Sequence, residues 1–532
     1  MPTPRLVAAL VSTVALGVTL VMPWGAQAAA PTPVADVVPA AAPQGDPWVV
    51  SLGDSFISGE AGRWAGNESG TTSDIDALGR AAYWDARDRE AIERCHRSRS
   101  AAIHIGVVKS LNLACSGAIT STKFDSDGNF KPGIDFYRDG NRKGQALMLQ
   151  EFAEQNKVRM VALSIGGNDF RFSSIIEQCV KDFLVPLASP KCKNDDKVNS
   201  FISASAQDRV RKDTATAILN IATAMENAGY DDADWTLVLQ LYPQPLPGSS
   251  NMRYTEYGYE RQRDGGCGFR DADLDWAATT LLPIVNDTFR GAGRDAQAQR
   301  PSMQVAVMDS SKAFSQRQLC HDEVWRIQEG RWSGNQKGPD SWQAAGAVDQ
   351  SEWVMEINLV NLRETYQQES LHPNYWGQLA LRNCWRQVWN DGDVRGGVCE
   401  RDRAASGLTA DCEPRMTLTP SGRAAARAAS PREGASVTLR CPGISVDQGQ
   451  TAVLRGRVTG AGPDTRVTLQ AKWDGRAWRD EATVRPDPEG DYRFTVTVPA
   501  SVEVGRVYQW RAVVTSGGDV VAVSQTRSTL VR

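Results

Sequence analysis

The sequence predicts an α/β protein, a parallel sheet with helices on both faces, followed by a small all-β sandwich. Two observations carry this. From Pro47 to about Glu400, short β-branched runs alternate with amphipathic helical stretches. Beyond Val437 the helical signal is replaced by period-two alternation. The 532 residues hold 59 Lys+Arg against 63 Asp+Glu, a formal net charge of −4. That balance excludes a strongly basic surface, so nucleic acid is not an expected partner. A hydrophobic share of 41% excludes a disordered chain.

Residues 1–28 read as an export signal. Arg5 supplies the positive start, Leu6 to Met22 is apolar apart from Ser, Thr and Gly, and Ala26-Gln27-Ala28 offers small residues for cleavage. The Pro/Ala-rich stretch 29–46 follows as a tether. Secretion is therefore expected, and with it disulfides among the ten cysteines, 95, 115, 179, 192, 267, 320, 384, 399, 412 and 441. Sequence-neighbour pairing gives 95–115, 179–192, 267–320, 384–399 and 412–441, although spacing alone leaves the connectivity open. Closely spaced Cys/His ligand sets are missing from the sequence, so neither a metal nor any other cofactor is expected.

In the body of the chain, Trp48–Leu52 reads as a buried strand ending at Gly53, and Val158–Ile165 as a second ending at Gly166-Gly167. Trp235–Leu241 and Met303–Met308 are two more. Ala206–Ala228 is helical, with Val210, Thr214, Ala217, Ile218, Ile221 and Met225 on one face. Strands separated by helices place ligand chemistry at the carboxyl ends of the strands. Residues 401–436, rich in Ala, Arg, Ser and Pro, read as a linker. In 437–532, Val467, Leu469, Ala471 and Trp473 share a face, as do Tyr492, Phe494, Val496 and Val498. This sandwich resembles the immunoglobulin-like or fibronectin-like accessory domains of bacterial exported enzymes, and a polysaccharide or cell-wall contact is its expected partner.

At the first strand end stands Gly53-Asp54-Ser55-Phe56-Ile57-Ser58-Gly59-Glu60. A serine on a tight strand-to-helix turn is exposed for attack, and the helix start favours negative charge there. With Ile57 where a second glycine would stand, this is not the G-x-S-x-G elbow. Further along come Leu113-Ala114-Cys115-Ser116-Gly117-Ala118, Ile165-Gly166-Gly167-Asn168-Asp169 and Glu369-Ser370-Leu371-His372-Pro373-Asn374. Four such motifs in this order resemble the GDSL or SGNH hydrolase family over residues 47–390.

The resemblance implies a flavodoxin-like three-layer α/β/α domain, here 47–400, with Ser55 as nucleophile and His372 as its base. It implies an oxyanion hole made of the Ser55 and Gly117 backbone N–H groups and the Asn168 amide. The family usually places an Asp three residues before the histidine; Glu369 occupies that position, while some relatives use a backbone carbonyl instead. The family pattern agrees only with the first three cysteine pairs. The cysteine pattern and Trp-rich insertions resemble exported actinobacterial esterases and lipases, so a lipid or small acyl ester is the expected substrate, with phospholipids and lysophospholipids among the lipids the family permits; a monomer is the expected state. A carbohydrate deacetylase using residues 437–532 to hold a polymer is the alternative enzyme. A surface-binding protein with an inactive hydrolase domain is the alternative outside enzymes.

Of the other histidines, His104 is expected in the core, and His96 and His321 beside disulfides. Asp125–Asn129 resembles a calcium loop but lacks its glycine and its closing Glu. Asn67-Glu68-Ser69 marks a surface loop as a glycosylation acceptor. Trp64, Trp84, Trp325, Trp332, Trp342 and Trp353 are expected to pack beneath the loops between motifs.

Overall fold

The computed structural model describes residues 42–69, 72–185, 190–331, 334–358, 368–421, 436–439, 445–460, 464–473, 476–524 and 526–531. The expected leader 1–28, most of the tether, Trp332 and Cys441 lie outside them. The centre is a seven-stranded sheet built from β1 (Trp48–Gly53), β2 (Lys109–Asn112), β3 (Val158–Ser164), β4 (Thr236–Gln240), β5 (Val305–Asp309), β6 (Gly397–Arg401) and β7 (Met416–Pro420). Their spatial order is β2-β1-β3-β4-β5-β6-β7. Every pairing is parallel except β6 with β7. The order reverses between β1 and β3, which opens a crevice at their carboxyl ends.

Alternation along the strands sends side chains into two separate cores. Val50, Leu52, Val161, Leu163, Leu237 and Leu239 share one cluster with Ala217, Ile218, Ile221 and Met225 of the long helix α1 (Ala204–Asn227). Val49, Met160, Ala162, Val238 and Met308 share the other with Leu381, Trp385 and Val388 of helix α2 (Tyr375–Trp389). Each fully buried aliphatic side chain contributes roughly 1.5–3 kcal/mol, so both faces of the sheet need cover. The start of α2 is fixed by Asn374, whose side chain accepts from the Trp376 and Gly377 amides.

The sequence boundary at 400 needs correction. Met416 and Leu418 are buried, alternating with exposed Thr417 and Thr419, and β7 adds to the sheet edge beside β6. The sheet therefore runs to Pro420, inside the expected linker 401–436. From residue 436 come separate, mainly antiparallel sheets. Ser436–Leu439, Thr451–Thr459 and Asp491–Thr497 make one; Arg466–Trp473, Arg479–Val484, Val507–Ser516 and Arg527–Val531 belong to the other. Leu454, Val467, Leu469, Phe494, Trp510 and Val514 pack between them.

Four disulfides follow the neighbour pairing: Cys95–Cys115, Cys179–Cys192, Cys267–Cys320 and Cys384–Cys399. Cys412 is also disulfide-bonded, while its expected partner Cys441 lies outside the described residues. Among the described residues, no helix is long and apolar enough to cross a membrane. Two smaller expectations change. Asn67 is 1% exposed and its amide donates to Glu352, so that segment is not a surface loop. His104 is half-buried and meets Ser110 Oγ at 3.0 Å, outside the apolar core.

Candidate active site

Strand β1 ends at Gly53, where φ is +133° and an added Cβ would lie 2.0 Å from the Ser164 carbonyl oxygen. Only glycine allows β1 and β3 to approach so closely there. Gln145 clamps this residue, accepting from Gly53 N–H at 2.7 Å and donating to its carbonyl at 2.9 Å. The chain then turns directly into the four-residue helix Ser55–Ser58, capped by Asp54, which accepts from the Phe56 amide. Ser55 thus stands at the strand end with its backbone N–H in the first helical turn.

Three loops converge on it. The Cys95–Cys115 disulfide and the bond from Cys115 N–H to the Gly53 carbonyl hold the segment leading to Gly117, which takes a left-handed φ of +78°. From the end of β3, Asn168 donates to the Ala118 carbonyl at 2.8 Å, and Asp169 accepts from Thr120 Oγ1 at 2.7 Å. Tyr242, just beyond β4, joins the loops after β1 and β3. It donates to Asp54 at 2.5 Å and accepts from Gly167 N–H at 3.0 Å. Burial pushes the Asp54 carboxyl up to about 7.

The fourth segment brings in His372. Its Nε2 lies 2.6 Å from Ser55 Oγ, and its Nδ1 lies 3.0 Å from the Ser370 carbonyl oxygen. A carbonyl only accepts, so Nδ1 carries the proton and Nε2 presents its lone pair to the serine hydroxyl. The ring packs against Phe56, centroid to centroid 4.8 Å. Burial lowers the imidazole pKa, opposed by the negative charge of Glu60. Leu371 adopts φ +59°, held by reciprocal backbone bonds between the 371–372 turn and Met355. For a branched residue such a conformation costs roughly 1–2 kcal/mol.

Glu369 does not reach the imidazole through its carboxylate. The side chain is 1% exposed and turns away to accept from Trp64 Nε1 at 2.7 Å and Tyr83 Oη at 2.5 Å. The reason is local: two strong donors lie on that side, while the Ser370 carbonyl already occupies Nδ1. The position at Nδ1 expected for the Glu369 carboxylate is taken by the Ser370 backbone carbonyl.

Beyond Glu369 lies a buried polar cluster that sequence reasoning missed. Tyr83 stacks on His96 with centroids 4.3 Å apart, and His96 Nδ1 is 2.6 Å from Glu60 Oε1. Gln368 donates to the other Glu60 oxygen at 2.9 Å. Burial pushes the Glu60 carboxyl up, but facing His96 outweighs it and holds it at about 2. Burial alone would push His96 down; Glu60 raises it to about 8. Burial and then the Glu60 charge push Glu369 up to about 7. Glu60, His96 and Glu369 bring ligand-type atoms within 4.8 Å of one another. Those atoms are already engaged with the donors just named, so the cluster is built as a hydrogen-bonded unit. Its sequence signals were present: Glu60 closes the serine block, and His96 follows a bridged cysteine.

Ser55, Gly117, Asn168 and His372 all line one cavity of 520 Å³. Its walls are mainly apolar, from Phe56, Phe172, Ile176, Leu282, Val285 and Leu371. Of the inter-motif tryptophans, Trp64, Trp342 and Trp353 are buried elsewhere, and Trp84 and Trp325 are half-buried.

Neither protein-family models nor curated proteins match the chain. Three of the solved structures that align with it each cover 19% of its length. They include a chain from a study of T cell activation by the bacterial superantigen toxic shock syndrome toxin-1, at 14% identity, 100% of that chain and TM-score 0.15. The sensor domain of the anti-sigma factor RsgI4 from Pseudobacteroides cellulosolvens aligns at 15% identity, 98% of that chain and TM-score 0.15. A marsupial T cell receptor aligns at 19% identity, 52% of that chain and TM-score 0.14. Likenesses of this size carry no argument about fold or function.

Proposed function

We propose that this chain is a secreted serine ester hydrolase of the GDSL/SGNH type, acting on fatty-acyl esters through an acyl-Ser55 intermediate. The observation that carries the reading is the Ser55–His372 contact of 2.6 Å at the end of β1, with the ring tautomer set by Ser370. The strand order β2-β1-β3-β4-β5 supports the flavodoxin-like assignment, with the site at its reversal point. An immunoglobulin-like identity for the C-terminal sheets belongs to the same proposal. The disulfides support export.

In this mechanism His372 Nε2 takes the Ser55 Oγ proton as Oγ bonds to the acyl carbon. The carbonyl electrons move onto oxygen, where the Ser55 and Gly117 N–H groups and the Asn168 amide hydrogen not given to Ala118 receive the charge. Each such donor is worth ~10²–10³ in turnover. The C–O bond to the leaving alcohol breaks as imidazolium returns its proton to the alkoxide oxygen. Water then repeats the sequence, its proton going to Nε2 and its oxygen to the acyl carbon, and Ser55 Oγ is released protonated. Throughout, the Ser370 carbonyl accepts from Nδ1–H and steadies the cation.

The apolar walls favour an acyl chain over acetyl or sugar as the group bound beside Ser55. Hydrolysis rates on p-nitrophenyl acetate, butyrate and palmitate, each beside Ser55→Ala, test the reading. A serine-dependent rate that rises beyond acetate supports it. Equal rates in wild type and Ser55→Ala on all three would overturn it.

A further inference from the structure

A second cavity, 1100 Å³ in volume, opens at the amino ends of the strands, opposite the serine. Trp48 and Lys109, which begin β1 and β2, lie on it, whereas Ser55 follows the far end of β1. Helix α2 presents Tyr375, Leu379, Arg382, Arg386 and Trp389 to this groove. Their spacing of i, i+4, i+7, i+11 and i+14 is one continuous helical face. Arg99, His104 and Ser110 line a second wall, and Lys472, Gln509 and Arg527 a third from the C-terminal sheets.

The groove has more donors than the fold satisfies. Tyr375 Oη, Arg382 Nε and Arg386 Nη1 are buried without a hydrogen-bond partner, and Tyr375 is 0% exposed. All three can donate, and all three sit on the one face of α2. The remaining bonds of Arg382 go to the Arg99 and Ala101 carbonyls at 3.0 and 3.1 Å, and Arg99 donates to the Gly505 carbonyl at 3.2 Å. Among the described residues no carboxylate pairs with either guanidinium.

The groove's acids are largely spent elsewhere. Asp46 faces Lys109, Asp85 faces Arg97, and Asp411 faces Arg527, leaving Asp391. Arg386 is neutralised by Glu413 in a forked pair. Positive charge therefore exceeds negative at Arg99 and Arg382. Burial and these two cations push His104 down to about 3. A buried cation without a paired anion is costly, and a forked guanidinium is built to receive a planar or tetrahedral oxyanion.

We propose that this groove is an oxyanion-binding site, in which Arg99, Arg382 and the Tyr375 hydroxyl receive a phosphate-type or carboxylate group of a ligand larger than the ion itself. The size of the groove sets the last clause: at 1100 Å³ it slightly exceeds the ~300–1,000 Å³ of pockets that hold whole organic ligands. This site is independent of the serine chemistry, so its fate and that of the hydrolase reading are separable.

The test titrates inorganic phosphate into the full chain at ionic strength fixed with chloride, following the ring signals of the four histidines by NMR. Saturable movement of His104, with His96 and His372 unmoved, is the expected result. Arg99→Gln and Arg382→Gln should each weaken apparent affinity about tenfold or more, while Ser55-dependent ester hydrolysis, at the other end of the strands, persists as the folding control. No saturable shift of His104 in the wild type, or unchanged affinity in folded variants, overturns the proposal. Should the arginine variants fail to fold, the wild-type titration still decides. A polyphosphate arm separates sources: tighter binding than inorganic phosphate identifies a polymer carrying successive oxyanions, and equal binding a single charged group.

Discussion

Replacing Glu369 by Gln distinguishes two ways of holding His372. A carboxylate that fixes the histidine tautomer is worth ~10⁴ in turnover when it is neutralised. Here Nδ1 already donates to the Ser370 carbonyl at 3.0 Å, and the Glu369 oxygens face Trp64 and Tyr83. Glu369→Gln keeps the carbonyl acceptor for one of those donors and adds an NH₂ that the other must avoid. Activity should therefore fall less than ~10-fold, while stability falls by roughly 1–3 kcal/mol, the cost of leaving a buried donor unsatisfied. The pH profile of stability supplies a second reading. Glu369 has its folded pKa raised to about 7, so its contribution is full below its unfolded value of 4.5 and is lost as pH rises through about 7. Glutamine does not titrate, so that decline should flatten in the variant. The assay is kcat/KM on p-nitrophenyl butyrate beside urea melts from pH 4 to 8. A loss of ~10³ or more in a variant that melts like the wild type would refute the argument and return the orienting role to Glu369.

The rising limb of the pH–rate profile should have its midpoint below 6.5, because burial lowers the His372 pKa and only the neutral ring can take the serine proton; a midpoint above pH 7 would contradict this. Thiol reductant should lower the melting temperature strongly, at ~2–4 kcal/mol per disulfide, and a protein lacking only Cys95–Cys115 should also lose turnover, since that bond holds the approach to Gly117. Gly53→Ala should cost at least about 2 kcal/mol, because its Cβ would meet the Ser164 carbonyl at 2.0 Å; denaturant melts measure it.

What could be read from the sequence was whatever is local or periodic. The ends of β1 and β3, the burial of Val210 through Met225 on one helix face and the start of α2 all follow from patterns within a few residues. Ser55 and His372 were legible because each sits in a short motif at an element boundary. The direction of Glu369 was not, since its partners Trp64 and Tyr83 lie 305 and 286 positions away. The pairing of His96 with Glu60 depends on how the Cys95 loop folds back, and spacing does not reveal it. β7 was hidden for a different reason. Its period-two signal is only five residues long and adjoins a stretch whose Ala, Arg and Pro content dominates any window.

The Ser55–His372 bond joins residues 317 positions apart in the chain, with β2 to β5 of the central sheet between them. No amino-terminal fragment ending before residue 372 contains both partners, and α2, which anchors the histidine turn, ends only at Trp389. At the usual synthesis rate of ~5–20 residues per second, a growing chain carries Ser55 for tens of seconds before His372 is made. Recovery of turnover during refolding would then be a late signal, reporting closure of the longest loop in the domain rather than its first collapse.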